Sequence, residues 1–363
     1  MSELADIAAA RLVGVPRYSP GKPPAGHASG KLSSNEASLG VGPVVARAVS
    51  ESVAGLSLYP SESAVVEVAA TAFGVTAEQV LLTNGSDELC YLIATVFLGP
   101  DKTVVLGDPC YAIDATVSVL SGATLTRVPL VNGAHDLDAM AAAAQSADVV
   151  WLPSPHNPTG VAADPEALEQ MLAAISQRCL VVLDLAYADF ADDEYQLDIA
   201  ALLARHPHVV VQRTLSKSYA LAGLRVGVAL GSPELIAALR SVRAPFSVNA
   251  VGLAATQAAL SDPAWRAMSI ARVREQRTVL ELELDALGVE YLASQANFVL
   301  VHIDHATIAP ALERRGITVR DGADLGVPGW TRVTVGWAPM MADLRLALRE
   351  TVQSHEHTTE GAT

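Results

Sequence analysis

Alternating strand and helix patterns over residues 45–247 constrain the fold of this 363-residue chain more than any other feature. Short apolar, β-rich stretches recur there, and Ala-, Leu- and Glu-rich segments with helical spacing separate most of them. The seven predicted strands are Val80–Gly85, Thr103–Pro109, Thr124–Leu130, Asp148–Pro155, Leu180–Tyr187, His208–Ser216 and Arg225–Leu230. Alternation on this scale predicts an α/β fold with a doubly wound, mostly parallel seven-stranded sheet.

After Ser247 the pattern changes to a long helical stretch that is followed by two short predicted strands and a final helix. This change predicts a second, smaller α+β domain. The expected organisation is an N-terminal arm over residues 1–40, a large domain over 41–247, a small domain over 248–353 and a disordered polar tail over 354–363.

Charge and cysteine content exclude several classes of function. The net charge of −15, with no basic stripe, argues against a nucleic-acid partner. Cys90, Cys110 and Cys179 have neither the spacing of a metal site nor that of a disulfide framework, so no metal is expected. The sequence shows no signal-peptide pattern and no apolar run of membrane length, so we expect a cytoplasmic protein without a membrane partner.

Polar residues follow the predicted strands where each strand ends. The carboxyl ends of parallel strands form one edge of the sheet, and ligands of open α/β sheets collect there. The residues expected at this edge are Ser86, Asp87, Tyr111, Asn157, Asp184, Tyr187, Ser216 and Lys217. The sequence therefore predicts a binding site at this edge.

Lys217 is the most informative of these residues. The chain has four lysines, and the other three lie in the N-terminal arm or in a turn. Lys217 instead follows a strand and precedes an apolar segment. It could be a partly buried lysine whose amine reaches solvent. The alternative is a desolvated amine with a lowered pKa that forms a Schiff base with a carbonyl compound.

Pyridoxal 5′-phosphate (PLP) is the common carbonyl cofactor for such a lysine, and the residues at this edge match its needs. Asp184 would pair with the ring nitrogen, and Asn157 and Tyr187 would contact the ring oxygen. The residues expected to hold the phosphate are Gly85, Ser86, Thr214, Ser216 and Arg225. Asp87 also falls within this group, and we expect its carboxylate to face away from the phosphate or to cap the following helix.

Three ordered motifs resemble those of the fold-type I, class I/II aminotransferases, and in particular the histidinol-phosphate aminotransferase branch. They are SPHNPTG at 154–160, DLAY at 184–187 and TLSKSYALAGLR at 214–225. The resemblance spans roughly residues 30–350. The N-terminal SPGK and KLSSNE segments are also similar to those of actinobacterial aromatic amino-acid aminotransferases.

The resemblance implies further roles for individual residues. Lys217 would form the aldimine with PLP and carry the proton in catalysis, and Tyr111 would stack on the ring. Tyr59 would reach the phosphate of the partner subunit in a homodimer. The expected substrate-binding residues are Arg332 for the α-carboxylate, Arg320 for a substrate phosphate, and Asn297 and Asn35 nearby.

The resemblance thus predicts a ping-pong aminotransferase that acts on an amino donor and a 2-oxo acid. Histidinol phosphate, an aromatic amino acid and another biosynthetic amino acid remain open as the second substrate. A PLP-dependent decarboxylase of the threonine-phosphate type and a non-catalytic PLP-binding regulator are the alternatives. Tyr59 and Tyr111 could instead be packing aromatics, and Arg332 could belong to a surface ion pair.

Overall fold

The computed structural model describes residues 4, 9, 12–16, 21 and 30–360. Most of the predicted N-terminal arm lies outside these residues. The α-helices from residue 30 onward are α1 Pro43–Ser52, α2 Ser63–Phe73, α3 Gly85–Phe97, α4 Ala112–Ser121, α5 Leu137–Ala144, α6 Pro165–Ala174, α7 Ile199–Arg205, α8 Pro233–Val242, α9 Ala250–Leu260, α10 Pro263–Ala286, α11 His305–Glu313 and α12 Ala338–Glu360.

All seven strands predicted for the large sheet form. They are β1 Val80–Thr83, β2 Thr103–Asp108, β3 Thr124–Pro129, β4 Val149–Pro153, β5 Leu180–Asp184, β6 Val209–Thr214 and β7 Gly227–Leu230. Their order in the sheet is β1-β7-β6-β5-β4-β2-β3. Strands β2 to β6 run parallel to one another, whereas β7 is antiparallel to both β1 and β6. The predicted α/β fold with a mostly parallel sheet is therefore confirmed.

The central strands are apolar because helices cover both faces of the sheet. Every residue of β4 is buried, as are the first four residues of β5. Strand β5 ends at Asp184, three residues before the predicted end at Tyr187. The Asp184 carboxylate accepts a hydrogen bond from the Ala186 amide at 2.9 Å, which turns the chain away from the sheet.

A second sheet forms the small lobe. Its strands are β8 Tyr291–Leu292, β9 Phe298–Val301, β10 Arg320–Asp321 and β11 Thr331–Thr334, in the antiparallel order β10-β11-β9-β8. Strands β9 and β11 match the two predicted ones. Strands β8 and β10 were not predicted, because two residues are too few to show alternation.

Helix α9 belongs to the large lobe. Leu253, Ala255 and Ala259 on this helix lie in the same apolar core as the large sheet. Val273, Leu280 and Leu284 of α10 lie instead in the core of the small lobe, together with Leu32. This packing disagrees with the predicted boundary after residue 247. It favours a boundary near Asp262, between the two helices. The sequence did not predict this boundary, because one helical pattern spans both helices and does not show which core each helix joins.

The final helix also differs from the prediction. Helix α12 continues to Glu360, so residues 354–360 are helical where a disordered tail was expected. The apolar face of the preceding turns packs in the small lobe through Met341, Leu344 and Leu348, and the helix continues beyond it. None of the helices in the described part of the chain has the length and apolar character needed to span a membrane.

The two faces of α10 provide a test of the small-lobe core. Leu280 is fully buried, whereas Leu282 on the same helix is 63% exposed. We expect Leu280→Ala to lower the free energy of unfolding by about 2–5 kcal/mol, because it leaves a cavity in a packed core. Leu282→Ala serves as the control, with an expected change within about 0.5 kcal/mol. Urea unfolding measures both, and equal effects would contradict this assignment of the core.

Candidate active site

A cavity of about 580 Å³ opens at the carboxyl edge of the large sheet, where it meets the small lobe. Most of the predicted site residues line it. They are Asn35, Ser86, Asp87, Tyr111, Asn157, Asp184, Tyr187, Thr214, Ser216, Lys217, Arg225, Arg320 and Arg332. Three predicted residues do not line this cavity: Gly85, Asn297 and Tyr59.

Lys217 enters the cavity from a tight loop that follows β6. The Ala220 amide donates to the Lys217 carbonyl at 3.0 Å, and Ala220 has a left-handed backbone with φ of 60°. The Lys217 Nζ donates to the carbonyl oxygen of Ser34 at 3.2 Å and lies 5.5 Å from the centre of the Tyr187 ring. The amine therefore faces the cavity and not bulk solvent.

Asp184 lies at the end of β5 on the wall of the same cavity. Burial raises the pKa of its carboxyl to about 7, although the hydrogen bond from the Ala186 amide opposes this rise. A buried carboxyl with a raised pKa gains most from a cationic partner, which would restore its ordinary ionisation. The protonated ring nitrogen of PLP is such a partner, so this wall of the cavity fits the cofactor.

The opposite end of the cavity can hold a phosphate. Gly85 opens helix α3 with φ of 74°, and a Cβ at this position would lie 2.6 Å from a terminal nitrogen of Arg225. A Cβ at Gly227 would lie 2.8 Å from the Ser86 amide nitrogen. These glycines let β7 and Arg225 approach the N-terminus of α3, where backbone amides and a positive dipole favour an anion. Ser86, Thr214 and Ser216 carry hydroxyls and also line the cavity, and Thr214 is opposite Gly227 in the β6–β7 pair.

Asp87 lines the cavity, and its carboxylate contacts Arg225, one of the residues expected to hold the phosphate. One carboxylate oxygen accepts from the Tyr111 hydroxyl at 3.2 Å, and the other accepts from Arg225 at 3.1 Å. The charge of Arg225 and the phenol hydroxyl attract the carboxylate into the cavity. Asp87 thereby ties the helix α3 N-terminus to two other walls of the site.

Two arginines of the small lobe, Arg320 and Arg332, also line the cavity. Arg320 and Arg332 are directly opposite each other in the β10–β11 pair and are each about 5% exposed. Arg332 donates to the Asn157 amide oxygen at 2.5 Å and to the Ser33 carbonyl at 3.1 Å. Arg320 lies 3.7 Å from the Asp324 carboxylate. Both arginines line the cavity that Lys217 also lines.

The segment Ser33–Ser34–Asn35 joins the two lobes at the site. The Asn35 amide donates to the Tyr187 hydroxyl at 3.1 Å, and its oxygen accepts from Thr334 at 3.1 Å. Asn297 is buried behind this segment and donates to the Asn35 carbonyl at 3.1 Å. Sequence reasoning missed Ser33 and Ser34, because their backbone carbonyls make the contacts and no side-chain pattern reports a carbonyl.

Tyr59 lies outside the cavity of its own chain. Its side chain is 82% exposed and stacks on Phe246, with 4.6 Å between the ring centres. Nothing in the described part of the chain covers this pair. Within one chain, Tyr59 therefore does not make the predicted contact with a phosphate.

Two histidines, the fully buried His156 and the half-buried His135, support the loops that carry Asn157 and Tyr111. His156 contacts the Thr159 hydroxyl at 2.9 Å through Nδ1 and the Pro109 carbonyl at 3.0 Å through Nε2. The His135 ring packs edge-on against His156 and contacts the Pro153 carbonyl at 3.1 Å. These contacts join the loop after β2 to the loop after β4. Sequence reasoning overlooked this role, because one chain gives no signal for a histidine that bridges loops.

Comparisons with known proteins identify the family. The sequence model of the family "Aminotransferase class I and II" matches residues 31–348. The chain belongs to the class I and II aminotransferases. It is 38% identical over 331 residues to histidinol-phosphate aminotransferase 1 of Cupriavidus pinatubonensis, covering 88% of each chain. It is 35% identical over 358 residues to histidinol-phosphate aminotransferase 1 of Dechloromonas aromatica, covering 96% of this chain and 99% of the relative.

Solved structures agree with this assignment. The aminotransferase superposes on the crystal structure of histidinol-phosphate aminotransferase from Sinorhizobium meliloti in complex with pyridoxal-5′-phosphate, with a TM-score of 0.83 and 26% identity. This match covers 90% of the present chain and 91% of the other. The protein is thus a PLP-dependent aminotransferase that uses amino and 2-oxo acid substrates. These relatives do not favour the decarboxylase considered above.

His135 predicts that the aminotransferase loses stability in acid. Burial lowers the pKa of His135 to about 4 from its usual 6.5, while the Pro153 carbonyl opposes this shift. Between these pH values the unfolded chain binds a proton that the folded chain does not, so stability is complete above pH 6.5 and falls as the pH drops toward 4. The expected loss from His135 by pH 4.5 is about 2–3 kcal/mol.

Urea unfolding at pH 7.5 and pH 4.5 measures this loss. The variant His135→Asn should lose less stability on acidification than the unmodified chain. The control is His302→Asn, since His302 lies on the surface of the small lobe with 48% of its side chain exposed. An acid-induced loss as large in His135→Asn as in the unmodified chain would disprove the assignment.

Proposed function

We propose that Lys217 holds PLP covalently in this aminotransferase, with Asp184 at the ring nitrogen and Arg225 at the phosphate. The observation that carries the proposal is the single cavity that Lys217, Asp184 and Arg225 all line. When bound, PLP supplies an electron sink that weakens the bonds to the substrate α-carbon. The remaining chemistry depends on what the side chains around the cavity do.

Lys217 is the proposed proton carrier. As a free amine, its Nζ would take up the proton from the substrate α-carbon, hold it and release it again. The Ser34 carbonyl, now 3.2 Å from Nζ, provides a neutral acceptor for the free amine. Asp184 would keep the ring nitrogen protonated, since an ionised carboxylate there favours the cation. Tyr187 and Asn157 would contact the ring oxygen, and Tyr111 would cover the ring face.

Arg332 and Arg320 are the proposed anchors for an anionic group of the substrate. Arg332 now donates to two uncharged oxygens, those of Asn157 and Ser33. A carboxylate or phosphate would be a stronger acceptor than either, because charge-assisted hydrogen bonds are stronger than neutral ones. Holding that group would orient the substrate α-carbon in the cavity and so favour proton removal over breakage of the other α-carbon bonds.

Histidinol phosphate is the amino donor that we propose first, with a 2-oxo acid as acceptor. Two arginines on one face can contact a phosphate dianion, and the relatives described above carry the name of this substrate. An aromatic amino acid is the alternative. Ile113 and Leu325 give the same cavity an apolar side that such a donor could use.

A homodimer is the proposed assembly, and a cytoplasmic location is proposed with it. Leu56, Leu58 and Tyr59, near the start of the large lobe, are exposed large apolar side chains, and so is Phe246, which stacks on Tyr59. Clustered exposed apolar side chains of this kind mark an interface. A second copy of the chain would cover them and would bring Tyr59 to the partner subunit's phosphate. The three unpaired cysteines suit a reducing compartment.

Cofactor absorbance tests the substrate proposal. The holoenzyme should be yellow, lose this colour with histidinol phosphate and regain it with 2-oxoglutarate. We expect Arg332→Met to lower kcat/KM about 100-fold to 1000-fold for every donor, since two hydrogen bonds to a charge are lost. Arg320→Met should lower kcat/KM for histidinol phosphate about tenfold or more, and should affect phenylalanine less.

Arg178→Met is the matched control, because Arg178 is exposed on the large lobe away from the cavity. It should leave both donors unaffected. Loss of colour with phenylalanine but not with histidinol phosphate would contradict histidinol phosphate as the donor and would support an aromatic amino acid instead. No response to any amino donor would contradict the proposed function itself.

Sedimentation velocity tests the dimer. The unmodified holoenzyme should sediment as two chains, whereas Leu58→Glu should sediment as one, because a charge replaces an apolar group that is 74% exposed in the single chain. Leu346→Glu, on the exposed side of α12, is the control and should remain dimeric. A dimer that persists in Leu58→Glu would place the interface elsewhere.

A further inference from the structure

A buried carboxylate lies directly behind the loop that carries Lys217. Asp189 accepts hydrogen bonds from Arg213 on β6 and from the hydroxyl of Ser218, the residue after Lys217. It also accepts from Arg266 on helix α10 at 2.6 Å. Asp189 and Ser218 do not line the cavity, and the mechanism above does not use either of them.

The charges in this cluster make the Ser218 contact strong. Burial alone would raise the pKa of Asp189, but Arg213 and Arg266 hold it well below its usual range. The carboxylate is therefore ionised at any working pH, and a hydroxyl that donates to an ionised oxygen makes a charge-assisted hydrogen bond. Ser218 is 2% exposed, so water does not compete for this contact.

The same carboxylate also fixes the neighbouring site segment. Asp189 is two residues after Tyr187 and five after Asp184. Arg213 donates its other terminal nitrogen to the Leu185 carbonyl at 3.1 Å, between those two residues. The cluster thus holds the lysine loop against the segment that carries Asp184 and Tyr187.

Helix α10 extends this attachment into the small lobe. Arg266, Arg274 and Arg277 on the helix all contact the segment from Asp189 to Asp193. Arg277 donates to the Phe190 carbonyl at 3.0 Å and to Asp192 at 3.1 Å, and Arg274 contacts Asp193 at 3.3 Å. Since α10 packs in the small-lobe core, the lysine loop has a rigid connection to the lobe that carries Arg332.

We infer that Asp189 is a positioning residue, which acts through Ser218 to hold Lys217 at the place where its amine meets the cofactor and the substrate α-carbon. A lysine that must transfer a proton in both directions needs an accurately placed backbone, and a displacement of about 1 Å can lower a rate by about 100-fold. The inference rests on the proposed role of Lys217. Neither Asp189 nor Ser218 touches the reacting atoms.

Ser218→Ala tests the inference with little risk to folding, because the Asp189 ion pairs remain. Ser118→Ala is the matched control: Ser118 is also fully buried in the large lobe, and it accepts a hydrogen bond from Trp151 at 3.2 Å. Ser218→Thr, which keeps the hydroxyl, is the conservative variant. All three are purified as holoenzymes with PLP.

Two readouts separate positioning from stability. The first is the pH titration of the visible absorbance of the holoenzyme, which reports on the Lys217–cofactor link without any substrate. The second is the rate at which an amino donor removes that absorbance, measured with L-glutamate and with α-deuterated L-glutamate. If L-glutamate does not react, histidinol phosphate and then phenylalanine replace it.

In Ser218→Ala we expect a shifted titration midpoint, a rate that is lower by about tenfold or more, a larger deuterium effect and an unchanged donor KM. Ser118→Ala should match the unmodified enzyme in all four, and Ser218→Thr should recover most of the rate. Equal behaviour of Ser218→Ala and Ser118→Ala would overturn the inference. An unmodified enzyme without visible absorbance would contradict the role of Lys217 instead, so the two failures are distinguishable.

Discussion

The carboxyl group of Asp184 depends on a cationic partner that the surrounding protein does not fully provide. Burial raises its pKa to about 7, and one backbone amide is its hydrogen-bond donor among the contacts described above. An ionised carboxylate at this depth is costly unless a charge is placed against it. The fold therefore maintains a position in which a protonated ring nitrogen is favoured. Lys217 and Arg225, the residues proposed to hold the aldehyde and the phosphate of PLP, line the same cavity as Asp184.

The site is made by both lobes. The large sheet supplies Asp184, Lys217 and Arg225, whereas the small lobe supplies Arg320 and Arg332. The segment Ser33–Ser34–Asn35 connects them. Leu32, just before it, accepts from the Thr334 amide of the small-lobe sheet, and the carbonyls of Ser33 and Ser34 accept from Arg332 and Lys217. Asp189 provides a second connection on the other side of the lysine loop. Because of these connections, the proposed substrate anchor Arg332 and the proposed base Lys217 are both hydrogen-bonded to one short segment of the chain.

Much of the fold could be predicted from the sequence because the large sheet is buried on both faces. Its strands are continuous apolar runs, and polar residues at their ends stand out against them. Lys217 could be singled out because lysine is rare in this chain and this one lies against apolar sequence.

The domain boundary could not be predicted correctly, since α9 and α10 share a helical pattern while packing in different cores. The orientation of Asp87 depends on Arg225, which is 138 residues away in the chain. The contacts of the Ser33 and Ser34 backbone carbonyls could not be predicted, because every residue has a carbonyl and the side-chain type gives no information about it.

Borohydride reduction of the yellow holoenzyme, followed by peptide mass spectrometry, tests the central claim most directly. Reduction makes the lysine–cofactor bond permanent, so the modified residue can be located. We expect a phosphopyridoxyl group on the peptide that contains Lys217 and on no other. A modified Lys31 or Lys102, or a reduced protein without any attached cofactor, would contradict the account.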